Sequence, residues 1–166
     1  AAVRAASRRR AAAVAAAAAA AAPSPEASAA AAAAAAADDA WLAALAEAGV
    51  ESIRIGTKEM AFYPERFDEA FVSMLDRFHE SYPEVGLHIV VHFEHPDEFL
   101  AKDSDGQYVR NPTGFLQWVP ATGAAMRRLV QRGWLSIENQ SPIIKGINDD
   151  PDALRILQRE FKRAGG

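Results

Sequence analysis

From about residue 38 onward, apolar positions fall into two rhythms. Phe67, Ala70, Phe71, Met74, Leu75 and Phe78 recur at three- and four-residue spacings, which gives a helix one apolar face, and Pro83 and Gly86 close it. A shorter helix is predicted from a cap at Asp38 or Asp39 through Ala48, with Trp41, Leu42 and Leu45 as its stripe and Gly49 as its stop. Another runs over residues 120–132, with Ala125, Met126, Leu129 and Val130 apolar and Gly133 beyond it. Asp150 then caps a last helix that has Pro151 at its first position and turns Leu154, Leu157 and Phe161 inward. Between these helices stand short β-prone runs at 52–55, 87–93 and 134–137, the last followed by a polar step at Glu138-Asn139-Gln140 and a further apolar run at 142–147. The unbroken apolar stretch Ile89-Val90-Val91 suits a strand covered on both faces, as in a parallel sheet. Residues 56–66 read as a loop, and the turn-rich residues 103–118 as a surface insertion.

The predicted order is α-β-α-β-α-β-α, with strands roughly 40 residues apart, which suits right-handed βαβ units. The expected fold class is therefore α/β, a partial (β/α) barrel of about three βα units. That is fewer units than a closed barrel needs, so the sheet is expected to have two open, apolar edges, like the middle of a domain. The domain is placed at residues 38–166. Residues 1–37 are mostly alanine, with Arg4, Arg8, Arg9 and Arg10 and no acid before Glu26; they read as a low-complexity or transit-like segment. The first residue is Ala1, not methionine, which fits a processed protein or a fragment.

Composition narrows the function. A net charge of −4 gives no basic surface for phosphates, so no nucleic-acid partner is expected. The alanine run is too weakly hydrophobic for a lipid-spanning helix, so no membrane association is expected either. A cytoplasmic location is expected, with an organelle as the alternative if residues 1–37 are a transit peptide. The count of 0 cysteines excludes a disulfide scaffold, a thiolate zinc site and an iron–sulfur cluster held by this chain. No nucleotide-loop or nucleophile-elbow motif is present.

The candidate chemistry lies where the β-prone runs end. On a strand over 87–93, His88, Val90 and His92 point to one side and Ile89, Val91 and Phe93 to the other. His92-Phe93-Glu94-His95 matches no zinc signature, and such a site needs a third ligand, so no metal site is expected. Asn139 and Gln140 are amides at the end of a buried strand; they must be satisfied by a polar ligand or by loop backbone. Arg54 alternates with Ile53 and Ile55, so its guanidinium faces away from them, toward a ligand carboxylate or an ion pair on a neighbouring strand.

Three runs carry a resemblance. Arg54-Ile55-Gly56-Thr57-Lys58, His92-Phe93-Glu94-His95-Pro96 and Asn139-Gln140-Ser141-Pro142-Ile143-Ile144-Lys145-Gly146-Ile147-Asn148-Asp149 stand in this order. Together they resemble the lysine 2,3-aminomutase family of radical S-adenosylmethionine (SAM) enzymes, whose runs look like I-R-I-G-T/S-R, H-F-N-H-P-x-E and N-Q-S-x-L-L-x-G-V-N-D. The resemblance covers residues 40–165 and implies a partial barrel of the radical SAM type. It also implies an isomerase in which SAM is cleaved at a 4Fe–4S cluster and a 5′-deoxyadenosyl radical drives a 1,2-amino shift on an amino acid held by pyridoxal phosphate (PLP). By the same resemblance His92 contacts SAM and Asn139 and Gln140 lie beside it; Arg54, read from its chemistry and not from the resemblance, suits the carboxylate of SAM or of an amino-acid substrate, or an ion pair with a neighbouring strand. None of the four is assigned as a catalytic residue. Lys58 stands where the family has Arg, and Glu94 where it has Asn. The family's cluster loop would precede residue 38 and its PLP lysine would follow Gly166, so SAM, cluster and PLP are implied while the ligands of the last two are absent from this chain. The 166 residues alone are therefore not expected to turn over. The alternative is a degenerate, non-catalytic fragment that binds SAM or, through its open edges, a partner chain; a homo-oligomer is one way to cover those edges.

Overall fold

The computed structural model describes residues 39–166. The segment expected to be low-complexity or transit-like lies outside the described residues. Three parallel strands, β1 (Ser52–Thr57), β2 (Gly86–Val91) and β3 (Ser136–Asn139), form one sheet in the order β1-β2-β3. Helix α1 covers residues 39–47, α2 is Glu59–Phe62, α3 is Glu69–Ser81, α4 is Pro120–Val130 and α5 is Pro151–Arg163. The α/β class and the three βα units match the pattern read from the sequence. No described helix is long and apolar enough to cross a membrane.

Register explains why the two faces of the sheet differ. Ile55 pairs with Ile89 and Ile89 with Ile137, so odd-numbered residues of all three strands share one face. Ile53, Leu87, Ile89, Val91 and Ile137 on that face are buried with Val72, Leu75 and Phe78 of α3 and Ala125, Met126 and Leu129 of α4 in one core. The even face carries Arg54, Gly56, His88, Val90, Glu138 and, just past the strands, His92 and Gln140. Coverage of β2 on both faces was expected, and the structure corrects this: the described helices pack on the odd face, and among the described strand residues of the even face Val90 alone is sealed, at 3% exposure.

Local chemistry sets the helix ends. The Asp68 carboxylate accepts from the Phe71 amide and the Asp150 carboxylate from the Ala153 amide, each capping a helix start. Gly49 turns the chain after α1 with φ +85°, where its amide donates to Ala46 and the Val50 amide to Leu45. Helix α3 begins after Asp68, two residues later than the Phe67 periodicity indicated. Phe67 instead packs edge-on against Phe71 at 5.3 Å, Ala70 is exposed, and Val72 is in the core. In α1 Leu42 is buried, but Trp41 is 67% exposed at the stripe's margin. It flanks a groove of about 500 Å³ along the free edge of β1, shared with Leu45, Ile55 and Phe71.

Two segments fold otherwise than expected. Residues 56–66 contain α2 and a 3₁₀ turn at Pro64–Arg66, because Met60 reaches the core at 0% exposure. Residues 142–147 form turns rather than a strand. The buried Asn148 side chain takes the Ile144 amide at 2.6 Å and donates to the Pro142 carbonyl at 2.8 Å, which folds the segment on itself and leaves Ile143 and Ile147 exposed. The insertion doubles back through antiparallel bridges Leu100↔Trp118 and Arg110↔Leu116, so Phe99, Leu100 and Leu116 join the core. Arg163 of α5 ties it down, donating to the Leu116 carbonyl while paired with the buried Glu160 carboxylate.

Candidate functional site

The C-terminal ends of parallel strands are where side chains and loops converge without a ladder to join, and all the candidate residues but Arg54 stand there. Extended chain continues past β2: the His92 amide donates to the Thr57 carbonyl at 3.1 Å and the Gln140 amide to the Val91 carbonyl at 2.9 Å. These bonds carry the parallel register one row further and place Lys58, His92 and Gln140 side by side on the even face. Gly56 lies one row below. A Cβ there would stand 3.6 Å from His92 Nε2, so the absent side chain leaves the imidazole edge open. The side chains of His92 and Gln140 make no hydrogen bond among the described residues, and Gln140 is exposed. Beside Gln140, the Ser141 hydroxyl is shut away from solvent and also has no partner.

Asn139 is different. Its amide oxygen accepts from the Phe93 amide at 2.8 Å and its amide nitrogen donates to the Phe93 carbonyl at 3.1 Å. The side chain thus imitates a ladder partner and holds the end of β2, on the odd face. Asn139 is therefore not brought together with His92 and Gln140. Of the two ways of satisfying it, backbone is the one the structure uses.

Arg54 lies two rows below Lys58 on the even face. Its Nη2 is 3.0 Å from Glu138 Oε2 on β3, so the pair spans the sheet across β2. Between them, His88 Nδ1 is buried and makes no hydrogen bond, although Glu138 Oε1 is 3.4 Å away. The two atoms are within ion-pair distance, but no hydrogen bond joins them. Glu138 and Ser141 did not emerge as site residues from the sequence. Strand alternation applied to β3, as it was to β2, would have put Glu138 on the face of Gln140.

The two departures from the resembled pattern meet. Lys58 Nζ is 3.0 Å from Glu94 Oε1 and 3.1 Å from Glu98 Oε1, and Glu98 Oε2 accepts from the Glu94 amide at 2.8 Å. An acid at 94 is tolerated because a lysine stands at 58, and neither charge is free for a ligand. His95 acts as a cap: its Nδ1 accepts from the Asp97 amide at 3.2 Å. Among the described residues no three His, Asp or Glu side chains are grouped to hold a metal ion.

Asp97 anchors the insertion through Lys102 at 2.6 Å and the Tyr108 hydroxyl at 2.6 Å. Partial burial pushes its carboxyl up, but the hydrogen bonds from Lys102 and Tyr108 and the charges of His95 and Lys102 outweigh this and hold it below its ordinary value. Burial and the bond to Asp97 push the Tyr108 phenol far up. A depressed carboxyl stabilises the fold above its ordinary pKa, and the contribution is lost as pH falls through the folded value. Wild type and Asp97→Asn should therefore differ in thermal midpoint at neutral pH and converge as pH falls below the ordinary carboxylate range and through the lowered folded value. A difference that persists undiminished in acid would exclude this ion network as its source.

The residues present fit the implied cofactors unequally. Unpartnered polar groups on His92, Gln140 and Ser141 fit a nucleoside-bearing ligand such as SAM. An iron–sulfur cluster does not fit, since the chain offers no thiolate. PLP does not fit the even face either: Lys58 is held by two carboxylates, Lys102 by Asp97, and Lys145 and Lys162 stand in solvent.

No family model matches the chain, and no solved structure matches it. Two curated matches carry the name putative L-lysine 2,3-aminomutase from Aquifex aeolicus (strain VF5). One is 34% identical over 128 residues, covering 75% of this chain and 28% of the relative. The other is 29% identical over 115 residues, covering 69% and 24%. A glutamate 2,3-aminomutase from Clostridioides difficile (strain 630) is 26% identical over 112 residues, covering 68% and 20%. The chain spans about a quarter of the length of the curated relatives it matches.

Proposed function

We propose that this chain, a distant relative of the lysine and glutamate 2,3-aminomutases, forms the SAM-facing part of a radical SAM amino-acid aminomutase. The observation that carries the reading is the contrast at the strand ends. His92 and Gln140 stand adjacent on the open face without partners, while their neighbours Asn139, Glu94 and His95 are each occupied with holding the frame. Unpaired polar side chains gathered at the C-terminal ends of parallel strands, half-buried at His92, exposed at Gln140 and buried at the Ser141 hydroxyl, suit a ligand face.

In this reading the His92 imidazole and the Gln140 amide hold SAM at the mouth of the sheet, and Asn139 and the Lys58–Glu94–Glu98 cluster fix the backbone that aims them. When bound there, SAM would supply adenosyl radical chemistry, and His92 and Gln140 would be the residues that hold it. Because no cysteine is present, the 166 residues supply no electron path of their own, and no turnover is proposed for them alone. The same absence favours a second reading, a non-catalytic chain that binds SAM without cleaving it or pairs with another polypeptide along its open edges. The amino-acid substrate and any such partner belong to the proposal, as does a location in the cytoplasm.

Isothermal titration with SAM separates this reading from a purely structural one. Wild type should bind saturably; His92→Ala and Gln140→Ala should each weaken binding about tenfold, the loss of one or two hydrogen bonds to a partly desolvated ligand. Equal affinity in wild type and both variants would remove the even face as the binding surface.

A further inference from the structure

We infer that Arg54 is a carboxylate-binding residue whose site is occupied, in the free protein, by an internal competitor, Glu138. The inference rests on the even face being a ligand face, but not on SAM being the ligand.

Three observations carry it. First, the Arg54–Glu138 pair is poorly protected: the two side chains are 59% and 41% exposed, on a sheet whose other face is sealed. An exposed pair of one Nη and one Oε contributes little, and an incoming carboxylate that engages both arms of the guanidinium competes well with it. Second, Glu138 has somewhere to go. Its other oxygen already lies 3.4 Å from His88 Nδ1, which is buried without a hydrogen bond. A small rotation that releases Arg54 turns that contact into the bond His88 lacks, so displacing Glu138 repairs a defect in the sheet as it opens the site. Third, the space next to Arg54 is kept clear: Gly56 follows it on the same face with no side chain, below His92. The ligand class is an organic carboxylate, the carboxylate of an amino acid or the methionyl carboxylate of SAM.

The test follows Arg54 Nε–H and the His88 ring nitrogens by heteronuclear NMR. The protein is titrated with sodium acetate against sodium chloride of equal ionic strength, then with L-lysine and with SAM. Acetate, and not chloride, should shift both residues together. Glu138→Gln should tighten acetate binding about two- to fivefold, the effect of removing one exposed ion pair, and Glu138→Ala should do the same. Arg54→Lys, which keeps the charge but loses the fork, should weaken it. Saturation by L-lysine assigns the site to a free amino acid, and saturation by SAM alone assigns it to the cofactor's carboxylate. If Arg54 answers acetate while SAM binding is absent, the cofactor reading fails and this inference stands. Unchanged or weaker acetate binding in both Glu138 variants, each confirmed folded by its thermal transition, would overturn it and leave the pair as a strap across the strands.

Discussion

Phe93→Ala is expected to destabilise the domain by about 3–5 kcal/mol, the usual cost of emptying a phenylalanine-sized space in a packed core. The ring is 0% exposed and touches the Phe99 ring at 4.8 Å, the Trp118 ring at 6.0 Å and the Phe161 ring at 6.3 Å. Those three partners belong to the turn after β2, the insertion and α5, so one ring joins three segments far apart in sequence. A domain this size is stable by about 5–15 kcal/mol in total, so the variant should approach the unfolding threshold. Phe93→Leu, which keeps most of the volume, should cost under about 1.5 kcal/mol. Urea denaturation at unchanged slope measures both. An alanine variant that loses less than about 1 kcal/mol would mean that the cluster closes around the gap and does not depend on the ring.

The second large effect is expected at Asn148, 0% exposed and bonded through every polar atom of its amide. Its Nδ2 donates to Glu94 O at 2.9 Å and Pro142 O at 2.8 Å, and its Oδ1 accepts from Ile144 N at 2.6 Å. Alanine leaves one donor and two acceptors buried and unpaired, a loss of about 2–4 kcal/mol. Asn148→Asp is the sharper test. It keeps shape and acceptor but turns a carboxylate toward two carbonyl oxygens, so it should be no more stable than the alanine variant despite being isosteric. An aspartate variant as stable as wild type would show that packing, not hydrogen bonding, is what the position requires. Because Asn148 staples the loop after β3 to the residue two beyond His92, both variants should also loosen the mouth of the sheet, seen as faster amide exchange at Ile144.

How much was legible in advance depended on which force decided each segment. The strands and the stripes of α3, α4 and α5 are set by burial, and burial leaves a period in the sequence. Leu75, Ile89, Leu129 and Leu157 could be placed for that reason. Residues 142–147 look like a strand because Ile143, Ile144 and Ile147 are apolar and branched. Their backbone, however, is claimed by Asn148, a single polar side chain with no periodic signature. Met60 is a similar case, a lone apolar residue that draws a short helix out of what composition marks as a loop.

The candidate site divides along the same line. Alternation put Arg54 on the face away from Ile53 and Ile55, and the register agrees. It would also have separated Asn139 from Gln140, since neighbours on a strand face opposite ways, and would have joined Glu138 to Gln140. What no local rule could supply is pairing across strands. That Arg54 meets Glu138, 84 positions away, and that the departures at Lys58 and Glu94 answer one another, are properties of the assembled sheet.

The central claim is that the even face of the sheet, at its C-terminal end, is the ligand face. Chemical-shift mapping of the isotope-labelled protein with S-adenosylhomocysteine, which has the adenosyl group but no sulfonium, tests it most directly. The account predicts that the His92 ring and the Gln140 side-chain amide shift first and most, with Ser141 and Gly56 following, while the side-chain amides of Asn139 and Asn148 hardly move. Shifts confined to the helical face, or to Trp41, Leu45 and Phe71 of the groove beside β1, would contradict it.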